Sequence, residues 1–375
     1  MLEQPPAPSE PETGPADAFD EPTPRTTPRS IVLSAGMLTS AVLLAVLIVL
    51  PTPYAVNSPG PTRDVLGKHD GTPLIQISGA ETYPTTGELR LTTVSGTGGP
   101  GFPSTVRDVV SGWVSPTSVV LPAELLYPPD TSQDEIDKSN SAEMVSSQEN
   151  ATVAALTELG YEVPATLVVA GTVEGTDAQD KVKKGDVIVA IDGITVPDYS
   201  TLLDHLGDVD PGSTITLTVK RHGETVDVPI VTGTKDDGTA QIGIFIDPSF
   251  DFPVDVKISI DDIGGPSAGT MFALGIIDKM TPENETGGKN IAGTGTMDVN
   301  GDVGAIGGIR QKLAGAQRDG ATWFLAPSSN CNEVVGHVPE GLRVAKISTL
   351  HEAREAVTAI GAGKGDDLPT CTASK

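Results

Sequence analysis

One uninterrupted block dominates the hydrophobic pattern. From Ile31 to Leu50 the chain reads IVLSAGMLTSAVLLAVLIVL without a single charge. As a helix that run is about 30 Å long, the thickness of a bilayer's hydrocarbon core. It is apolar all round, with no polar stripe, so it predicts a membrane-spanning helix over residues 30–51 rather than a buried core helix. Residues 1–29 read as a disordered, Pro-rich acidic tail whose only basic residues, Arg25 and Arg29, sit just ahead of the block. That is the pattern of a cytoplasmic flank, which puts the rest of the chain outside a single-pass cell-membrane anchor. A cleaved signal peptide is the competing reading; the run is longer than a usual signal core and no small-x-small site follows it.

Elsewhere the pattern is short-range. Residues 58–160 read as a β-rich extracytoplasmic module: a turn-rich linker (Ser58 to Gly67), strands at Leu74–Ile77 and Glu88–Val94, a Gly/Pro break at Gly96–Pro103, and a polar stretch leading to a helix at Glu143–Leu159 closed by Gly160. Residues 162–234 switch to short strands with one brief helix, and the β-branched runs Thr214–Lys220 and Thr225–Val231 flank a His222-Gly223 turn as in a hairpin. Residues 236–361 alternate strands and helices. Val254–Ile260 predicts a strand, and Gly264–Met280 a helix with Pro266 near its first turn. A later helix carries Ile309, Leu313 and Ala316 on one face. Lys312 lies about 40° from Ala316 and about 60° from Ile309, flanking the buried side, with Arg310 farther out. Residues 362–375 read as a mostly disordered tail.

Composition narrows the options. A chain of 375 residues holds two or three domains. With 24 basic and 50 acidic side chains the net charge is −26, which repels phosphates and argues against nucleic-acid binding. Two cysteines, Cys331 and Cys371, are too few for a zinc cluster or a disulfide-dense scaffold. Bridged, they would close a loop of about 40 residues and tie the tail back. No metal and no cofactor is expected.

The chemistry centres on Ser267. Near a helix start, a serine faces outward-pointing backbone N–H groups and a positive partial charge; taken alone, it is more often a cap than a nucleophile. Gly265 to Gly269 formally fits the G-x-S-x-G elbow of an α/β-hydrolase, for which His337 and His351 could be nominated, but the βα units that should precede such an elbow are missing. The other context is a Gly-rich turn feeding the helix of Lys312, within Gly301 to Ala321.

Here the motifs resemble a known family. GPSAG (Gly265 to Gly269), TGTMDVNGDVGAIGG (Thr294 to Gly308) and IRQK (Ile309 to Lys312) resemble the proteolytic domain of Lon proteases, and KVKKGDVIVAIDGITV (Lys181 to Val196) resembles the PDZ domains of bacterial high-temperature-requirement proteases. With the apolar block, the layout is similar to the membrane-anchored Lon-like PDZ proteases of Gram-positive bacteria. The fold implied is multidomain: a transmembrane helix, a β-rich module, a PDZ β-sandwich or barrel with short helices, and an α+β Lon-type domain. The resemblance makes Ser267 the nucleophile and Lys312 the general base, with Thr294, Gly265 and Gly269 beside them. In the PDZ domain it implies a peptide groove between the Leu167, Val168, Val169 strand and the helix of Leu202, Leu203 and Leu206. The family's usual Asp three residues before the serine is replaced by Gly264, and whether Asp261 or Asp262 substitutes is left open. Partners implied are protein or peptide substrates, with self-association a family expectation. An ordinary lysine, protonated up to about pH 10.4, is useless as a base, so Lys312 must be desolvated and free of carboxylates. No G-x-x-x-x-G-K-[ST] motif occurs, so an ATP-independent endopeptidase of extracytoplasmic processing or quality control is expected. The alternatives are a non-catalytic membrane-tethered PDZ adaptor and an α/β-hydrolase-type esterase.

Overall fold

The computed structural model describes residues 27–69, 71–127, 131–235, 238–260 and 263–372. Most of the tail at 1–29 lies outside these residues, as do Asp261 and Asp262. The chain forms two compact units, Met1–Leu50 and Pro51–Lys375. The first contains helix α1 (Pro28–Val49), in which Ile31–Val49 is long and apolar enough to cross a membrane and buries none of that stretch.

The second unit begins with β1 (Tyr54–Asp64), β2 (Glu88–Thr97), α2 (Val106–Val114), β3 (Val119–Pro122) and α3 (Gln133–Glu158). Then come β4 (Ala165–Thr172), β5 (Val187–Ile191), α4 (Tyr199–Gly207), β6 (Thr214–Arg221), β7 (Glu224–Val231) and β8 (Ile244–Phe250). It ends with α5 (Gly269–Met280), β9 (Asn290–Gly293), α6 (Ile309–Arg318), β10 (Trp323–Pro327), α7 (Cys331–Val334), β11 (Arg343–Ile347) and α8 (Leu350–Gly361). Two main sheets result, in the orders β11-β10-β9-β2-β1-β3 and β7-β6-β5-β4-β8. In the first, β2, β9, β10 and β11 run parallel while β1 and β3 are antiparallel neighbours.

The first sheet redraws the expected boundaries. The long strands β1, β2 and β3 join the later segment's sheet, and of this region the two-residue strands Lys68–His69 and Thr72–Pro73 pair with each other. β2 pairs Leu89 with Ile291 and Leu91 with Gly293, and these leucines are fully buried in the same core as Phe272 and Leu325 of the later segment. An isolated apolar strand does not tell which strand, some two hundred residues on, completes its core. Two short strands, Ile75–Ser78 and Asp255–Ile258, pair across the same distance.

Helix α3 begins ten residues before the expected Glu143, with Ser132 and Glu135 forming a capping box. Its first half is polar on every side and so shows no period, whereas Ala151, Ala154 and Ala155 of its second half are buried in the core that α5 fills. The β6–β7 hairpin pairs Arg221 with Glu224 around His222 and Gly223, both at positive φ, as a two-residue hairpin turn requires. Its sheet encloses a separate core of Leu167, Val169, Ile188, Leu202, Leu217 and Ile230.

The C-terminal segment is docked rather than disordered over its described residues. Lys346 N donates to Pro369 O, Leu368 packs on the core, and Cys331 is bonded to Cys371 with Cα atoms 5.0 Å apart. Arg343 stacks over Trp323 and pairs with Asp366.

Candidate active site

Ser267 sits in the turn just before α5, two residues short of the helix whose first turn it was expected to occupy. Gly265 makes that turn possible, because its φ of +86° is a left-handed conformation that side chains disfavour. Gly269 lets α5 start against the backbone of Met297: a Cβ there would lie 2.8 Å from Met297 Cβ. The turn is braced from two sides. Ser147 Oγ on α3 donates to Pro266 O at 3.0 Å, and the Ser267 carbonyl accepts from Gly295 N and Thr294 Oγ1, each at 3.0 Å. At Gly264 an added Cβ would meet Asn140 Cβ at 2.7 Å, so α3 fills the space a carboxylate would need.

Lys312 comes from α6, whose first residue follows Gly308 in the left-handed region. Ile309, Leu313 and Ala316 bury that helix's apolar face, and Lys312 is drawn in with them to 3% exposure, while Arg310 stays in solvent. Its Nζ donates to Thr294 Oγ1 at 2.9 Å. Burial lowers the amine from its ordinary 10.5 to about 7, and no charged group among the described residues contributes to the shift. An amine neutral near pH 7 is a proton acceptor at working pH.

Ser267 and Lys312 line one cleft of about 500 Å³, closed on its other sides by Thr92 to Ser95 of β2, by Met144 and by Gly307. The hydrogen bonds of the described residues connect the two through Thr294 rather than directly. Neither His337 nor His351 lines the cleft; His351 Nδ1 instead faces Glu158 at 3.0 Å. Ser147, Asn140 and the β2 wall went unrecognised in the sequence, since each reaches the site only through tertiary packing.

The second sheet corrects the expected peptide groove. β4 cannot accept an added strand, because β5 pairs one edge and β8 the other; Leu167 and Val169 are fully buried core, as is Leu202. The sheet ends on β8, and its free edge borders a groove of about 590 Å³ with Tyr199, Leu203 and Leu206 of α4 on the far side. Val168 stays within the paired strand, whereas Leu202, Leu203 and Leu206, the helix side as expected, do line the groove. Asp298, Asn300 and Asp302 close one side, on a turn that follows Thr294 and Met297 in the chain.

Residues 255–359 match the model of the Lon protease (S16) C-terminal proteolytic domain, and residues 144–232 match that of the PDZ domain. Similar proteins include the Lon protease of Clostridioides difficile, 37% identical over 102 residues, which are 26% of this chain and 13% of that one. Lon protease 2 of Herpetosiphon aurantiacus is 30% identical over 138 residues, 32% of this chain and 17% of its own length. The chain therefore spans less than a fifth of the curated relatives it matches. Among solved structures, the PDZ domain of an SdrC-like protein from Listeria monocytogenes is 23% identical, covers 21% of this chain and 85% of that one, and has a TM-score of 0.21. On the two family models, the chain carries a PDZ domain followed by a proteolytic domain of the Lon (S16) serine-peptidase type.

Proposed function

We propose that the protein is a membrane-anchored serine endopeptidase with a Ser267–Lys312 dyad, fed by its PDZ domain. The observation that carries this reading is the state of Lys312: an amine brought to about 7 by burial alone, in the same cleft as Ser267. Ser267 Oγ attacks the substrate carbonyl carbon as Lys312 Nζ accepts the hydroxyl proton. The oxyanion forms beside the backbone N–H groups of Ser267 and Ala268, at the positive end of α5. Collapse breaks the C–N bond, and the leaving amine takes the proton from Lys312. Lys312 Nζ then takes a proton from water as its oxygen attacks the acyl carbon, and returns that proton to Ser267 Oγ as the ester C–O bond breaks. Thr294 holds Lys312 Nζ and the Ser267 backbone in one geometry.

The groove between α4 and the free edge of β8 suits an extended segment, which would complete the strand's unpaired backbone groups. Helix α1 supplies the anchor, and the Arg25 and Arg29 flank favours the proteolytic domain on the outer side. The proposed substrates are flexible or already unfolded chains, whose extended segments fit the groove. The test is cleavage of an unfolded casein-type substrate by the purified full chain in detergent. Ser267→Ala should abolish it with an unchanged circular dichroism spectrum, and cleavage by that variant at the wild-type rate would overturn the dyad.

A further inference from the structure

Helix α2 is amphipathic in an unusual sense. Val109 and Gly112 are buried, and Gly112 packs where an added Cβ would touch Val120 and Val56. The opposite side carries Arg107, Val110, Trp113 and Val114 within an arc of about 120°. Val110 is 48% exposed, Trp113 67% and Val114 80%.

This face is tied to the first residues of the second unit. Pro51 forms a β-bridge with Thr105, the N-cap of α2; Thr52 N donates to Ser104 O at 2.8 Å, and Ala123 N donates to Pro53 O at 2.9 Å. Only Leu50 separates Pro51 from the end of α1 at Val49, so by chain connectivity Pro51 Cα lies within about 8 Å of Val49 Cα. The N-cap of α2 is thus bridged to a residue only two positions along the chain from the end of α1.

The charge distribution fits that location. The chain is 20% charged and carries −26 overall, yet between Gly96 and Ala123 only Arg107 and Asp108 are charged, and none from Ser30 to Thr62. The Asp108 carboxylate is consumed by its own cap, accepting from Thr105 N and Oγ1 at 2.8 Å each. An acidic protein held against a membrane needs such an uncharged face, and an indole beside aliphatic side chains is the chemistry that interfacial lipid accepts.

We propose that the α2 face, centred on Trp113 and Val114, binds the headgroup region of the bilayer that α1 spans. The proposal rests on the anchoring reading and adds a second, peripheral contact to it.

The test uses the full chain in phosphatidylcholine vesicles with bromines placed high on the acyl chains. Trp113 is one of two tryptophans, and Trp323 is only 8% exposed, so about half of the emission should be lost to the lipid quencher. Trp113→Phe should remove the quenching. Retention of the chain on vesicles after alkaline extraction reports the anchor separately. Retention without quenching of Trp113 overturns the lipid contact and leaves the anchor standing. Retention with Trp113 cross-linking to a second copy overturns it in favour of self-association, and loss of the chain on extraction overturns both readings.

Discussion

Lys312 and Thr294 are joined by a hydrogen bond of 2.9 Å at the wall of the Ser267 cleft, where the amine has lost nearly all contact with solvent. A protonated ammonium there would have one hydroxyl oxygen in place of its water shell. The neutral amine is the form that environment favours. Three of the predictions below follow from that pair.

The pH–rate profile should report the amine. kcat/KM for a short peptide should rise about tenfold per pH unit below neutrality and level off above about pH 7, where Lys312 becomes neutral. Lys312→Arg should be inactive at every pH, because a guanidinium keeps its proton. A flat profile between pH 5 and 8, or Lys312→Arg activity within tenfold of wild type, would remove position 312 as the base.

The same burial predicts a stability gain on replacing the base. The folded pKa of about 7 lies below the ordinary 10.5, so between those values the unfolded chain binds the extra proton and this group's contribution to stability rises with pH. Below pH 7 the full penalty applies, roughly 5 kcal/mol as an upper bound. Lys312→Met fills similar volume without an amine, and should raise the melting temperature at pH 6, with the gain shrinking toward pH 10. A variant that melts lower than wild type at pH 6 contradicts a desolvated lysine.

Thr294 is fully buried and holds both partners, so its hydroxyl and its shape can be separated. Thr294→Val should lower kcat by about 10²-fold with KM little changed, since an unpositioned amine loses orientation rather than substrate affinity. It should also leave Lys312 without its hydroxyl partner, destabilising the fold by about 1–3 kcal/mol. Thr294→Ser should restore most of kcat. If Thr294→Val raised KM alone, the residue would belong to substrate binding.

The local signals in the sequence were sound where a motif and its period coincide. The hairpin at His222-Gly223 and the apolar stripe of α6 lie where turn chemistry and spacing put them, whereas α5 starts five residues after the expected Gly264. What pattern could not supply was pairing. β2 looks like any half-buried strand, yet it is central in the first sheet and forms a wall of the cleft. The PDZ resemblance made β4 the groove edge; the strand that covers it, β8, follows some seventy residues later and takes the edge position itself. The polar first half of α3 carries no period, and with it Asn140 escaped notice beside the Ser267 turn; Ser147 lies within the expected helix, but only tertiary packing brings its hydroxyl to Pro266 O.

Cys371 anchors the last described turn to α7, closing a loop of 40 residues. In the chain-entropy account such a loop is worth about 4 kcal/mol, less any order the reduced chain retains. Cys371→Ser should lower the melting temperature by several degrees. Alkylation of both cysteines in the unreduced, denatured protein would show that the bridge does not form.

The free edge of β8 and the Leu203 side of α4 should matter only for long substrates. A short peptide reaches Ser267 on its own, whereas an unfolded protein gains local concentration by laying one segment along β8 while another enters the cleft. Leu203 is half-buried in the groove wall, and Leu203→Glu places a charge where the docked backbone and its apolar side chains would lie. For an unfolded protein substrate kcat/KM should fall about tenfold, almost entirely through KM, while a peptide of six to eight residues should be cut within about twofold of the wild-type rate. Equal losses on both substrates would mean that Leu203→Glu had disturbed the fold. Unchanged cleavage of both, with the variant's melting temperature intact, would separate the groove from substrate delivery altogether.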